Sequence, residues 1–580
     1  MFLLPFILIL LFSLIAFLPS FNLSLFGDDW LAFWRYIEHL GPQSVRGETH
    51  LSYFLTPYGA QDILMGFLYN IYGFSSLPYY LTSFALRFIA ALSFYPLIIY
   101  FTNSKIAAYF AVLFFSITSA GLDTTNWVFN MPTYVTIALF NFFLFFFLKS
   151  RETASKKLIF PAAIFYYLAY VVTPIRMHGS IFLIFLLELF WLIKNRNKQI
   201  AKAVLFRLLV IVMVFLIIRY GGESQGPKQE PAERFMLGIK TDLAMLSEGK
   251  FDFLAYPIAT IGSTFIPDNI LGGGRLISSG TQLFIFAIIP SYLLFIIILF
   301  ILQINIKANI KKLFRDGVIL SFVWNILVVF IYLGNRQTFS NSALILLVLF
   351  GGYILILGLI ILLKSFKKSY SDGLFLALCW LLLSFFFAWW WVPNSLYLTT
   401  HRYLIVTGMA TTIFLSIILS LTKNVTQQRI LLALFSLLLI IHLFSTRNYL
   451  SELTQIRSSS ISDRVWKSIP TIPDVGKDKQ PLIFYFEGDG TNGGIIHDVI
   501  TFGFPPHMAL IYNLREGEGL PIPMSDVKEV IAAVQSGESL KAYGLPAKPF
   551  PINRIYGFHL EGKDRLINIT DALRDKLSTL

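Results

Sequence analysis

The sequence predicts an all-α polytopic membrane protein followed by a small α/β domain outside the membrane. Of its 580 residues, 56% are hydrophobic and only 14% are charged, whereas a soluble domain carries roughly 25% charged residues. Long apolar runs alternate with short polar loops up to residue 446, and beyond that point the density of charge is ordinary. We therefore divide the chain into a transmembrane module, residues 1–446, and a C-terminal domain, residues 447–580.

The apolar runs of the transmembrane module define its candidate spans. A helix needs roughly 20 mainly apolar residues, with a range of about 17–25, to cross the hydrocarbon core. The first run lacks a basic leading region and a small-residue cleavage site, so we interpret it as a retained helix rather than a cleaved signal peptide. We predict thirteen spans: 3–20, 78–101, 105–122, 131–148, 158–173, 178–193, 203–219, 282–302, 317–333, 341–363, 373–392, 403–421 and 429–446.

Lysine and arginine are distributed unequally between alternate loops. One set of loops carries eighteen of these residues. Because cytoplasmic loops are enriched in lysine and arginine, that set faces the cytoplasm, and the C-terminal domain lies outside a cell membrane. The same distribution explains the net charge of +13 without a nucleic-acid partner. The alternate set of short loops carries five arginines: Arg35, Arg46, Arg176, Arg336 and Arg402.

One apolar segment is excluded from the spans on charge grounds. Residues 251–270 are apolar enough to cross, but a crossing there would move the basic segment 307–315 to the outer face. We therefore predict that this segment is interfacial, inside a long outward loop of about residues 220–281.

The C-terminal domain has the pattern of a small α/β fold. PLIFYFEG (481–488) and RIYGFHLEG (554–562) have the composition of strands, and SDVKEVIAAVQSG (525–537) has the periodicity of an amphipathic helix that ends at Gly537. Cys379 is the only cysteine, so the chain forms no intrachain disulfide and no cysteine-based metal site.

Two adjacent carboxylates, Asp28 and Asp29, follow the first span in the stretch GDDW. A charge at the exit of a membrane segment is costly when it is removed from water, so such a charge is expected to face water or to have a function. One explanation is that GDDW caps a helix beginning at Trp30. The stretch WLAFWRYIEHL after it is amphipathic and would lie in the membrane interface.

The predicted outward loops combine carboxylates with arginines. An arginine at such a position caps a helix or contacts lipid headgroups in many proteins. A convergent set, however, has the chemistry for transfer from a phosphate-linked donor, because arginine binds phosphate bidentately and a carboxylate accepts a proton. Besides the acidic pair, the candidates are Glu48, Asp123, Arg176, His178, Arg336, His401 and Arg402.

The order of these features resembles the GT-C superfamily of integral membrane glycosyltransferases, which includes the protein O-mannosyltransferases and the aminoarabinose transferases of lipid A. The shared features are an N-terminal helix, an outward acidic pair, an interfacial helix and many further spans, and they cover roughly residues 1–450. The C-terminal domain is not similar to one that we can name, and no subfamily is assigned. The chain departs from the family in having few outward lysines.

The resemblance implies a role for several of the candidate residues. Asp28 and Asp29 would be the catalytic pair, with Asp28 as the general base of an inverting transfer. Arg402 would contact the donor phosphate, with Arg176 and Arg336 as further candidates. Four residues are left as candidates for acceptor or metal binding: Asp123, Glu48, His178 and His401.

The resemblance also implies the partners. The donor would be a polyprenyl-phosphate sugar, and the acceptor a lipid, a glycan or a protein. Membrane lipids would surround the module, and no nucleic acid is expected. Some members of the superfamily need a divalent cation, so Mg²⁺ or Mn²⁺ bound by Asp28, Asp29 and Asp123 stays open.

Two other classes of protein are compatible with the composition. A transporter or flippase would carry its charges near the middle of the membrane, often in two related halves. Arg87 and Glu188 are the charges of that kind, and we interpret them as snorkelling or buried polar contacts. A polymerase or ligase of surface polysaccharide would also use outward arginines, but it needs no adjacent acidic pair.

Overall fold

The computed structural model describes most of the chain. Of the predicted site residues, Glu48 and Arg336 lie outside the described residues. The described residues are 3–40, 56, 58–152, 156–195, 197–220, 231–271, 282–303, 310–334, 342–389, 393–421, 425–490, 492–515 and 517–579.

The transmembrane module is a helical bundle, as predicted. Four of the thirteen predicted spans form apolar helices of only 10–17 residues: Lys105–Ile117, Ile159–Val172, Ser371–Leu383 and Leu404–Ser420. The other nine predicted spans form longer helices. Every predicted span therefore contains a helix, and the count of thirteen crossings stays a prediction. Within the described residues, nine helical segments are long and apolar enough to cross a membrane: Leu4–Asn22, Ser76–Thr102, Val128–Glu152, Pro174–Lys194, Lys198–Ile218, Leu283–Phe300, Phe314–Gly334, Ala343–Lys364 and Val425–Arg457.

The segment predicted to be interfacial is partly a helix, Asp252–Ser263, and the C-terminal part of this helix, residues 259–263, is buried. Gly262 of this helix approaches the carbonyl of Leu347, and Gly351 of the neighbouring span approaches the carbonyl of Ile258. A side chain at either glycine would collide with backbone, so small residues allow the two helices to pack closely. This segment is therefore part of the bundle rather than a helix that lies alone on its surface.

The two charges predicted inside spans are held by buried polar contacts. Arg87 is fully buried and donates hydrogen bonds to the Ser116 carbonyl (3.1 Å) and the Thr125 hydroxyl (2.9 Å). Glu188 is also fully buried and forms ion pairs with Arg151 (2.9 Å) and Arg207 (2.8 Å). Because a buried charge is tolerated when it is paired or hydrogen-bonded, these residues have a structural explanation.

The loops predicted to face outward meet at one end of the bundle. There the amide of Asp123 donates to the carbonyl of Thr400 (2.9 Å), and Asp268 accepts from the amide of Thr399 (2.7 Å). At the other end, Lys194 donates to the carbonyl of Lys368 (3.0 Å), which joins two loops predicted to be cytoplasmic. Each of these contacts joins loops of the same predicted set, and the assignment of the remaining loops stays a prediction. Which end faces the cytoplasm stays a prediction.

The C-terminal unit, residues 459–579, contains a four-stranded mixed sheet. Its strands are β1 Ile483–Gly488, β2 Ile522–Met524, β3 Ile555–Glu561 and β4 Arg565–Asn568, and their order in the sheet is β2-β1-β3-β4. Strand β1 is parallel to β2 and β3, and β4 is antiparallel to β3. The two predicted strands are confirmed as β1 and β3, and the predicted helix as Val527–Gln535. The main helices of the C-terminal unit are Ser459–Ser468, Phe504–Tyr512, Val527–Gln535 and Thr570–Ser578.

Helices cover both faces of this sheet. Phe484 and Phe486 pack on one side against Phe504, whereas Ile483 and Tyr485 pack on the other side in a cluster with Val530. Successive side chains of a strand point to opposite faces, so a strand that is buried on both faces needs a continuous apolar run. That requirement explains the uninterrupted sequence LIFYF.

The C-terminal unit packs directly on the helix Asp28–Arg35, which we call the acid helix. Trp30 stacks in parallel on His507 with ring centroids 3.6 Å apart, and the Trp34 indole donates to the carbonyl of Leu514 (3.0 Å). The last long helix, Val425–Arg457, runs without interruption through the predicted boundary at residue 446.

Candidate functional site

The acid helix begins at the first of the two aspartates. Gly27 is its N-cap, with φ +59° and ψ −120°, and no side chain provides the cap hydrogen bond. Asp28 and Asp29 occupy the first two helical positions, where a negative charge interacts favourably with the helix dipole. A helix therefore does begin within GDDW, but it begins at Asp28, two residues before Trp30, and neither aspartate is the N-cap.

Asp29 connects the acid helix to its surroundings. It is fully buried, and its two oxygens accept hydrogen bonds from the amides of Phe26 (2.9 Å) and Phe129 (2.7 Å). Burial raises the pKa of Asp29 to about 7, although the two hydrogen bonds from backbone amides and the positive charge of Arg457 act to lower it. Because both oxygens are occupied, Asp29 is suited to hold the turn in place.

Asp28 has a different environment. It is only partly buried, and within the described part of the chain no hydrogen bond joins its carboxylate to another group. Burial raises the pKa of Asp28 above its ordinary value, and the nearby charges of Arg402 and Arg35 oppose that rise. An uncommitted carboxylate beside an arginine is the better placed of the two to accept a proton.

Arg402 lies on an aromatic surface. Its guanidinium is 4.3 Å from the ring centroid of Trp127 and 5.4 Å from that of Tyr403. Its charge acts on both Asp28 and Asp123. Among the described residues, no hydrogen bond or ion pair engages the guanidinium, so its donors are available for an anionic ligand.

Arg176 and His401 adjoin Arg402. The Arg176 guanidinium is buried 4.0 Å from the ring centroid of Tyr403, and its Nη1 has no hydrogen-bond partner among the described residues. Burial and the charges of the two arginines lower the pKa of His401 to about 3. The His401 imidazole is therefore neutral at physiological pH, and its Nδ1 accepts a hydrogen bond from the amide of Tyr403 (3.3 Å).

The structure adds Arg457, which the sequence did not single out. It ends the last long helix, is almost fully buried, and lies 4.0 Å from the ring centroid of Phe26. Its Nη2 donates to the carbonyl of Asn126 (2.8 Å), whereas Nε and Nη1 have no partner in the described chain. The predicted domain boundary had placed this arginine in the C-terminal domain, and no local motif marks it.

Asp123 is the third acid of the site. Its carboxylate accepts a hydrogen bond from the Tyr449 hydroxyl. Burial raises the pKa of Asp123, while this bond and the charges of Arg457 and Arg402 oppose the rise. The charge of Asp498 also acts on Asp123, so the C-terminal unit contributes an acidic residue that the sequence did not indicate.

The described residues do not form an evident metal site. They contain no group of three or more histidine, cysteine, aspartate and glutamate side chains that could hold a metal ion. Asp29 already uses both oxygens on backbone amides, which leaves Asp28 as the more open ligand of the predicted acidic pair. His178 packs 6.1 Å from the ring of Tyr170.

The site thus joins an open carboxylate to arginines with unused donors. Fold and site define a helical polytopic protein with an acid–arginine centre at one end of its bundle. Compared with models of known protein families and with the sequences of curated proteins, the chain gives no match.

Proposed function

We propose that this chain is a GT-C-type membrane glycosyltransferase. It moves a sugar from a polyprenyl-phosphate donor to an acceptor hydroxyl on the outer face of the membrane, with inversion at the anomeric carbon. The observation that carries the proposal is the electrostatic interaction between Asp28 and Arg402. The carboxylate and the guanidinium are within electrostatic reach of each other, and neither forms a hydrogen bond within the described residues.

The two groups match the two charges that such a transfer creates. As the acceptor oxygen forms a bond to the anomeric carbon, its proton passes to the Asp28 carboxylate. The bond between the anomeric carbon and the phosphate oxygen breaks, and polyprenyl phosphate leaves with the electron pair. A positioned base contributes roughly 10²–10⁴-fold to such a step, and fixed cations stabilise the charge on the leaving group.

Arg176 and Arg457 supply further positive charge beside Arg402 and Asp29. Arg176 has one buried nitrogen and Arg457 has two without a hydrogen-bond partner among the described residues. A buried donor without a partner is costly, so these nitrogens favour an anionic ligand that would satisfy them. Arginine suits this role because it keeps its charge when buried and its planar fork matches phosphate.

The position of the site suits a lipid-linked donor. The acid helix follows the span Leu4–Asn22 directly, and Arg457 ends the span Val425–Arg457. A donor could keep its polyprenyl chain among the helices while its phosphate reached the arginines. A transporter offers no comparable use for an open carboxylate at the end of the bundle, and Arg87 and Glu188 have structural partners.

The direct test is Asp28→Asn, which keeps the shape of the side chain and removes the base. Purified protein is incubated with a panel of polyprenyl-phosphate sugars and acceptors, and release of polyprenyl phosphate is measured. We expect turnover to fall by about 10²–10⁴-fold while donor binding persists. Asp571→Asn makes the same change on an exposed surface and should leave turnover unchanged.

Asp29→Asn separates the two aspartates. It should reduce activity less than Asp28→Asn, because Asp29 acts on the backbone rather than on the acceptor. Loss confined to Asp29→Asn would exchange the two roles. Near-normal turnover in both variants would refute the glycosyltransferase proposal.

A further inference from the structure

The C-terminal unit contains a cleft of about 330 Å³ that the proposed chemistry does not use. Its volume is at the lower end of the roughly 300–1,000 Å³ that small-molecule sites occupy. Among the residues that line this cleft are His497, Thr501, Phe502, Ser525, Glu529 and Tyr543.

The cleft lies where α/β sheets bind ligands. Ser525 follows the carboxyl end of the parallel strand β2. Thr501 and Phe502 come from the connection between β1 and β2, whereas Glu529 and Tyr543 come from the connection between β2 and β3. These connections cover opposite faces of the sheet, so the cleft opens between the two helical layers. In open parallel sheets, ligands occupy the crevice beyond the carboxyl ends of the strands.

The lining favours a neutral ligand that is rich in hydroxyl groups. Phe502 and Tyr543 offer aromatic faces. Tyr543 is 41% exposed, and its hydroxyl donates a hydrogen bond to the Pro523 carbonyl (2.9 Å). Thr501, Ser525 and Glu529 add hydrogen-bonding groups. None of the described lining residues is lysine or arginine, and Glu529 would repel a phosphate. Sugar rings present apolar C–H faces and hydroxyl edges, which match this combination.

Phe502 forms a wall that the cleft shares with the acid–arginine site. Its ring centroid is 5.2 Å from that of Phe26 and 5.5 Å from that of Trp127, the ring on which Arg402 rests. His497, on the same connection, pairs with Asp498 (2.7 Å), whose charge acts on Asp123. A ligand in the cleft would therefore lie next to the site of transfer.

We propose that this cleft binds the acceptor, through the neutral carbohydrate or polyol part of that molecule. This inference rests on the proposed function for the identity of the reaction, and on the cleft alone for the chemistry of the ligand. The C-terminal unit is then the acceptor-recognition module, while the arginines at the end of the bundle recognise the donor. Glu529 accepts hydrogen bonds from ligand hydroxyls, and the Tyr543 ring packs against a sugar face.

Binding can be tested without turnover. Saturation-transfer NMR on the purified full chain in detergent, with a panel of neutral methyl glycosides and inositol as probes, should show ring-proton signals for at least one probe. Glu529→Gln and Tyr543→Ala should each weaken that binding by about 5- to 10-fold. Glu538→Gln, an exposed glutamate paired with Lys541, is the matched control and should bind as wild type does.

The outcomes separate this inference from the proposed function. Sugar transfer with an acceptor KM unchanged in both cleft variants would overturn the inference and leave the function intact. Glycoside binding that the two variants weaken, in a protein that releases no polyprenyl phosphate, would support the cleft and refute the function. No signal from any neutral probe, or stronger binding of a sugar phosphate, would overturn the inference.

Discussion

Replacing Gly27 with alanine tests whether the acid helix and the C-terminal unit form a close-packed junction. The Cβ of alanine would lie 2.0 Å from Cε1 of Phe502, where carbon atoms normally approach to about 3.5–4.0 Å. The backbone at Gly27 has φ +59° and ψ −120°, a conformation that residues other than glycine rarely adopt. Gly503 also packs against Gly27, because a Cβ at Gly503 would collide with the Gly27 carbonyl.

Two terms set the size of the effect. Backbone strain in such a region costs about 1–3 kcal/mol, and forcing extra atoms into a packed contact costs about 1–3 kcal/mol more. Gly73→Ala isolates the first term, since Gly73 has nearly the same backbone angles (φ +55°, ψ −130°) and nothing within 4 Å of an added Cβ. The difference between the two variants, about 1–3 kcal/mol, therefore measures the junction.

The assay is thermal unfolding of the purified protein in detergent. At roughly 2–4 °C per kcal/mol for a medium-sized domain, Gly27→Ala should unfold several degrees below Gly73→Ala. Adding Phe502→Ala to Gly27→Ala removes the colliding ring and should recover part of that difference. Equal unfolding temperatures for Gly27→Ala and Gly73→Ala would show that Phe502 does not press on the acid helix, and would refute the argument.

Three further predictions concern the site and the topology. Because folding raises the pKa of Asp29 from 3.8 to about 7, its protonation stabilises the fold below pH 3.8, and that contribution is lost as the pH rises to about 7. Wild-type stability should therefore fall relative to Asp29→Asn across that range, and a constant difference would contradict the assignment. Arg402→Lys should weaken donor binding by about tenfold or more, because lysine lacks the planar fork of arginine. The control is Arg447→Lys, on an exposed part of the last long helix, which should bind donor as wild type does. Equal donor affinities for the two variants would show that Arg402 does not contact the donor phosphate. Reporter fusions at Lys368 and after Leu580 should lie on opposite sides of the membrane, and a common side would overturn the predicted topology.

The helices and the central strands could be predicted from the sequence because their signals are local. A run of about 20 apolar residues has few alternatives to a membrane helix, since every backbone group must be satisfied within the segment. The apolar run in 481–488 similarly favours a strand that is buried on both faces, and β1 confirms it. The Lys and Arg distribution separated the loops into two sets, and the structure brings members of each set together at one end.

The division of labour between Asp28 and Asp29 could not be obtained from GDDW alone. Both residues are aspartate, and both lie in the first turn of the same helix. Only the fold carries the amide of Phe129, a hundred positions along the chain, to the carboxylate of Asp29. The different burial of the two side chains follows from that contact, and burial is the main cause of the raised pKa of Asp29.

The sequence by itself determined which segments are helical, which two segments form the central strands, and where an acidic pair follows a span. Tertiary structure alone decided that Arg457 joins the site, that Phe502 lies between the acid helix and the cleft, and that the charge of Asp498 acts on Asp123. The physical reason is the range of the interactions. Hydropathy and helix periodicity act over a few turns of the chain, whereas these side chains meet only after spans from distant parts of the sequence have packed against one another.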